Sequence, residues 1–332
     1  MDLIPSPADL ATAHPAPQAV ARHREVVSDV LSGRDPRLLV VVGPCSVHDT
    51  DAALEYAHRL AREAERLQDD LVIVLRAYLE KPRTVTGWTG FLTDPSLDGK
   101  GDIASGVRRG RAFLADAAAT GLPLAYEFVD PMLAHHVADL VSWGAIGART
   151  VASQPHRHLT SWLPMPMGLK NCVSGDLGTA IAAVRAARLP HSFAGIGHDG
   201  RLTTLRSTGN PDAHLVLRGG RTPNYQAPAV AAATRALTEV GLPARLVVDA
   251  SHGNSGKDHN RQPAVVDDVA VQIAAGADIA GVMIESYLAD GRQDEPLRPD
   301  LSLTDACLGW ARTVPLLELL ARTSRPAVGS RS

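Results

Sequence analysis

Four lysines stand against twenty-nine arginines in this chain, and two of them, Lys81 and Lys170, sit at the ends of apolar, β-rich runs beside arginines. A chain that uses arginine for almost every generic surface cation keeps lysine where a compact, mobile point charge is needed, since a planar guanidinium cannot replace it. Arg76, Arg83, Arg149 and Arg218 occupy comparable places. Cations gathered this closely repel one another unless an anion offsets them, and phosphate or carboxylate held by bidentate arginines is the natural anion. A second set, Cys45, His252, Glu285 and Asp305, offers one thiolate, one imidazole and two carboxylates. Such mixed donors suit Mn²⁺, Fe²⁺, Co²⁺ or Zn²⁺ better than Mg²⁺ or Ca²⁺. Three of them also have a plainer reading: Asp305 as the acid at a helix N-terminus, Cys45 and His252 as buried core groups.

From Leu38 onward, short β-rich runs alternate with stretches of helical period, the rhythm of successive βα units around a parallel sheet. Strands are expected at 38–43, 71–76, 123–129, 145–149, 166–170, 214–218, 245–250 and 279–285. Helices are expected at 51–67, 104–119, 132–142, 176–187, 227–240, 263–275 and 306–322, so that Asp305 opens the last of them. Eight units favour a closed (β/α)₈ TIM barrel, whose active site gathers at the C-terminal ends of the strands. Read in order, those ends carry Cys45, Arg76, Glu127, Arg149, Lys170, Arg218, His252 and Glu285. Closure makes the eighth strand a neighbour of the first, so Cys45, His252 and Glu285 can converge on one ion. The expected organisation is an N-terminal extension, 1–37, with a Pro-rich lead and a helix at about 18–32; a catalytic barrel, 38–325; a small hairpin-like insertion at 191–212; and a disordered tail, 326–332.

A formal charge of −3 and a pI near 6.5 argue against a chain that wraps nucleic acid or lies on an anionic membrane, so the local positive charge is meant for a small anion. Three widely spaced cysteines form neither a disulfide framework nor a zinc knuckle. No apolar run reaches the roughly 18 residues of a membrane span. A soluble, cytoplasmic protein is expected. No GxGxxG follows the first strand and there is no Walker loop, which disfavours dinucleotide and nucleotide chemistry.

Several strings resemble class I 3-deoxy-D-arabino-heptulosonate 7-phosphate (DAHP) synthases: Gly43-Pro44-Cys45-Ser46-Val47-His48-Asp49, Glu80-Lys81-Pro82-Arg83-Thr84, Gly144-Ala145-Ile146-Gly147-Ala148-Arg149-Thr150, Gly168-Leu169-Lys170-Asn171, Leu217-Arg218-Gly219-Gly220, Asp249-Ala250-Ser251-His252 and Thr304-Asp305-Ala306-Cys307. The resemblance runs from about residue 20 to 320. It implies condensation of phosphoenolpyruvate with erythrose 4-phosphate and water, releasing phosphate, at the start of the shikimate route to aromatic amino acids. It further implies that Arg76, Lys81, Glu127, Arg149, Lys170 and Arg218 surround phosphoenolpyruvate, Arg76 and Lys170 near its carboxylate and Arg149 and Arg218 near its phosphate. Lys81-Pro82-Arg83-Thr84 would hold erythrose 4-phosphate, with Arg83 and Thr84 on its phosphate. Cys45, His252, Glu285 and Asp305 would be ligands of a divalent Mn, Co, Fe or Zn ion, and Lys81, Glu127 and His252 the catalytic group. A homodimer or homotetramer is expected, with no nucleic-acid or membrane partner. Two alternatives are a related synthase using another aldose phosphate or an amino analogue, and a silent sugar-phosphate-binding barrel. The chain departs from the resemblance at Trp162 and Pro164, where members inhibited by an aromatic amino acid carry small polar residues. Those two rings are expected to fill or stiffen an effector pocket left uncovered by a short N-terminal arm, so that Phe, Tyr and Trp inhibit weakly or not at all.

Overall fold

The computed structural model describes residues 3–324. Eight parallel strands close on themselves: β1 (Leu38–Gly43), β2 (Leu71–Arg76), β3 (Leu124–Glu127), β4 (Trp143–Ile146), β5 (Met167–Lys170), β8 (Ala213–Leu217), β9 (Leu246–Asp249) and β10 (Ile279–Tyr287), with β10 pairing back onto β1. The (β/α)₈ barrel is therefore present. Its strands read as continuous apolar runs because both faces are covered. Alternate side chains divide between two cores. Leu39, Val41, Val72, Val74, Ala125, Trp143, Val216, Val247 and Met283 fill the barrel interior, while Leu38, Val40, Val42, Ile73 and Leu75 face the helices. Helix α2 (Ala19–Ser32) adds Val27, Val30 and Leu31 to the interior core. The extension helix thus packs onto the barrel interior.

The surrounding helices are α3 (Thr50–Arg66), α4 (Ile103–Ala119), α5 (Gln154–Trp162), α6 (Gly178–Ala187), α7 (Ala227–Glu239), α8 (Gln262–Ala274) and α9 (Trp310–Ser324). The insertion is a hairpin, as expected, formed by β6 (Ser192–Ile196) and β7 (Leu202–Arg206). The expected tail, 326–332, lies outside the described residues.

Three expectations fail for physical reasons. Residues 132–142 form two 3₁₀ turns, Ala134–His136 and Ala138–Leu140, not a helix. Their carbonyls are taken by arginines: Arg111 bonds His136 O, and Arg24 bonds the carbonyls of Ala138, Asp139 and Val141. Helix α5 was not anticipated, although Pro155 in its first turn suits a helix start. The last helix begins at Trp310, after a two-residue strand β11 (Leu308–Gly309) that pairs with β10, so Asp305 sits in a loop and caps nothing. An N-terminal helix, α1 (Pro7–Ala13), also precedes α2; Ala8 N donates to His198 O on the hairpin at 2.9 Å.

Candidate active site

A cavity of about 290 Å³ opens at the C-terminal ends of the strands, lined by Lys81, Pro82, Arg83, Thr84, Glu127, Arg149, Lys170, Arg218, Lys257, His252 and Asp305 among others. The positive residues singled out in the sequence therefore share one hollow, with Arg76 as the exception. Its guanidinium is 1% exposed and turned to protein: Nη2 lies 2.7 Å from Glu285 Oε1 and 3.1 Å from Cys45 O, and Nε 3.0 Å from Pro44 O. Arg76 sits beneath the hollow and supports Glu285.

Cys45, Glu285 and Asp305 present ligand atoms that all lie within 4.8 Å of one another. His252 adjoins them, its Nε2 3.5 Å from Glu285 Oε1. The ammonium of Lys81 contacts Cys45 Sγ at 2.7 Å and Asp305 Oδ2 at 2.9 Å, a cation already seated among these donors. Burial and the neighbouring Glu285 charge push the Cys45 thiol up to about 12, so only a strongly bound cation would keep it as thiolate. Burial alone would favour a neutral Lys81; the Asp305 and Glu285 carboxylates oppose this and hold the ammonium charged. Burial would likewise favour neutral Asp305 and Glu285, but Lys81 keeps the first ionised, and His252 with Arg76 the second. Cys45, Glu285 and Asp305 fit a divalent ion in both chemistry and placement, and His252 lies beside them outside that group of three.

Glu285 is fixed from three sides. Gln262 clamps its backbone, donating to Glu285 O at 3.0 Å and accepting from Glu285 N at 2.9 Å. Ser251 Oγ donates to Oε2 at 2.7 Å, and Arg76 holds Oε1. Glu127 owes its place to Gly147, where any Cβ would come 2.2 Å from Glu127 Oε1. Arg149 Nε donates to Thr84 Oγ1 at 2.7 Å, which ties the β4 loop to the Lys81-Pro82-Arg83-Thr84 loop. Burial lowers the pKa of the Arg218 guanidinium. Gly219 has φ +75, and a Cβ there would lie 2.3 Å from the Gly253 carbonyl carbon, so the loops carrying Arg218 and His252 abut through backbone.

Sequence reasoning missed several groups. Lys257 lines the cavity, and its signal was available: three of the four lysines face this hollow. Glu80 is buried and accepts from Tyr126 Oη at 2.8 Å and Asp130 N at 2.9 Å, which anchors the base of the Lys81 loop. Asn171 accepts from Arg218 N at 2.8 Å and donates to Gly219 O at 2.7 Å. Asp249, at the end of β9, contacts both Lys170 and His252.

Trp162 packs edge-on against His135, ring centroids 4.2 Å apart, as one wall of an open cavity of about 310 Å³. The arm is also in place through α1, and His136 Nε2 contacts Pro5 O at 3.1 Å.

Residues 14–318 match the sequence model of the DAHP synthetase I family. The chain belongs to that family. Within the DAHP synthetase I family, it is 49% identical to a Trp-sensitive phospho-2-dehydro-3-deoxyheptonate aldolase of Enterobacter agglomerans, over 95% of this chain and 93% of the relative. A Tyr-sensitive phospho-2-dehydro-3-deoxyheptonate aldolase of Escherichia coli (strain K12) is 48% identical over 90% of this chain and 85% of its own. The solved structure of a phospho-2-dehydro-3-deoxyheptonate aldolase from Francisella tularensis SCHU S4 superposes with a TM-score of 0.96 at 39% identity, covering 99% of each chain.

Proposed function

We propose that this DAHP synthase family member condenses phosphoenolpyruvate with erythrose 4-phosphate and water to give 3-deoxy-D-arabino-heptulosonate 7-phosphate and phosphate, using the cavity above the barrel. The observation that carries the reading is one hollow in which Lys81, Arg149, Lys170 and Arg218 meet a Cys45/His252/Glu285/Asp305 donor set. A site with these cations takes an anion at each end, and both substrates are phosphate esters.

Lys170, Arg149 and Arg218 hold phosphoenolpyruvate, with Lys170 on the carboxylate side and the arginines on the phosphate. Arg83 and Thr84 take the phosphate of the aldose, and the bond from Arg149 to Thr84 sets the two phosphate sites against each other. Holding the methylene carbon of phosphoenolpyruvate against the aldehyde can supply up to about 7–11 kcal/mol of the barrel enzyme's rate advantage. The new C–C bond places negative charge on the former aldehyde oxygen and positive character on the enol carbon. Lys81 donates its proton to that oxygen, and Glu127 orients the water that adds to the enol carbon, whose released proton restores the Lys81 ammonium. The C–O bond to phosphate then breaks, and the new hydroxyl becomes the ketone as its proton passes to the departing phosphate. Cys45, His252, Glu285 and Asp305 would hold a divalent Mn, Co, Fe or Zn ion, which supplies Lewis-acid polarisation of the aldehyde oxygen when bound. Arg76 supports this set through Glu285.

A homodimer or homotetramer is proposed, which light scattering tests. The three free cysteines are consistent with the reducing cytoplasm. Among the described residues, no helix is long and apolar enough to cross a membrane. The deciding experiment measures phosphate release from phosphoenolpyruvate with erythrose 4-phosphate, with other aldose phosphates and with no acceptor, before and after chelation. Equal release without an acceptor would overturn the reading.

A further inference from the structure

We infer that Asp249 is a positioning residue that joins the metal site to the phosphoenolpyruvate site, a single carboxylate oxygen holding His252 on one side and Lys170 on the other. The inference rests on the function proposed above. Asp249 is fully buried at the end of β9. Its Oδ1 accepts from Ser251 N at 3.0 Å. Its Oδ2 lies 2.8 Å from His252 Nδ1 and 3.0 Å from Lys170 Nζ. Neither approach is aligned as a hydrogen bond, so Oδ2 acts on both neighbours through the charge of its carboxylate and sits between them.

The backbone around Asp249 is built to hold this geometry. His252 adopts φ +55, a left-handed conformation that a residue with a Cβ avoids unless its surroundings impose it. They do so here: Asn254 Nδ2 bonds both Asp249 O, at 2.8 Å, and Leu217 O, at 3.1 Å, while the adjacent Ser251 is tied to Glu285. The strained turn points the two imidazole nitrogens in different directions. Nδ1 faces Asp249 at 2.8 Å, and Nε2 faces Glu285 at 3.5 Å. On the other side, Lys170 is buried to 3% exposure in a cavity it shares with Arg149, Arg218 and Lys257. A buried ammonium among other cations needs a nearby anion, and Asp249 is the carboxylate in contact with it.

The test uses the full-length protein. Manganese affinity is measured by calorimetry on metal-stripped protein, and steady-state kinetics follow at saturating Mn²⁺. Wild type must turn over phosphoenolpyruvate with erythrose 4-phosphate; if it does not, the proposed function fails before Asp249 is tested. Asp249→Asn is expected to weaken Mn²⁺ binding about tenfold or more and to raise KM for phosphoenolpyruvate about tenfold, with KM for erythrose 4-phosphate within about twofold. Ser251→Ala, which touches Glu285 but not Lys170, should weaken the metal alone. Loss of only one affinity in Asp249→Asn, or of neither, overturns the inference. If Asp249→Asn does not fold, Lys170→Gln carries the test. Releasing Oδ2 to His252 should tighten Mn²⁺ about threefold or more, while Arg149→Gln, which removes a cavity cation without touching Asp249, stays within about twofold. An unchanged Mn²⁺ affinity in Lys170→Gln overturns the inference equally.

Discussion

Replacing Lys81 by arginine keeps the charge, yet it should lower kcat/KM by at least about 100-fold, or about 2.7 kcal/mol. The magnitude follows from the contacts. Lys81 Nζ reaches Cys45 Sγ at 2.7 Å and Asp305 Oδ2 at 2.9 Å, and its side chain is only 11% exposed. A hydrogen bond to a charged partner contributes about 1.5–3 kcal/mol, with the Asp305 contact at the low end because that side chain is 42% open to water. A guanidinium is wider and cannot enter between donors within 4.8 Å of one another without displacing them, and it does not give up its proton to a nascent alkoxide. Losing one well-placed contact and the proton donor together therefore accounts for the stated effect. The assay is kcat/KM for both substrates at saturating Mn²⁺, with Lys81→Met beside it. Both variants should fall together, and in metal-free protein Lys81→Met should also lower the melting temperature, because Asp305 and Glu285 lose a neutralising cation. A Lys81→Arg enzyme within about fivefold of wild type would show that Lys81 is a generic cation and refute the reasoning.

Three further outcomes are expected. Chelation should abolish phosphate release and Mn²⁺ or Co²⁺ restore it, and an ion at 100 times its Kd should add about 2.7 kcal/mol of stability, read as a higher melting temperature; full turnover after chelation contradicts this. Lys170→Arg, at a site 3% exposed and 3.0 Å from Asp249, should cost about 100-fold in kcat/KM because the larger head cannot enter without moving β9; near-normal kinetics would count against it. Glu80, pushed up to about 8 by burial from the ordinary 4.5, folds in its protonated form, so its contribution to stability is lost as pH rises from about 4.5 to about 8. Glu80→Gln removes that slope and should gain on wild type by up to about 4 kcal/mol between pH 5 and 8 in urea unfolding, whereas a constant difference would refute it.

The barrel was legible from sequence because its signal is local: buried parallel strands must be continuous apolar runs, and β1 and β2 fall at their expected bounds, 38–43 and 71–76. Residue type likewise marked the cation set and the metal-type donors, since few surface roles require lysine in an arginine-rich chain. The same lysine argument would have reached Lys257 had it been applied to all four. Residues 132–142 failed because their helical period says nothing of Arg24 and Arg111, which arrive from other elements and take the carbonyls. Only the tertiary structure decided which charges meet. Lys81 and Asp305 are 224 residues apart and Arg76 and Glu285 are 209 apart, so no window of sequence contains both members of either pair. Asp249 and Gln262 escaped notice for a related reason: each acts on a functional side chain from within the core, where a polar residue becomes informative only once its burial and partners are known. The chain by itself determined the kind of chemistry through its residue types. Closure of the barrel, which brings β10 beside β1, determined that Lys81 faces Cys45 and Asp305 and that Arg76 lies beneath Glu285, because those contacts exist only when the ends of distant strands share one rim.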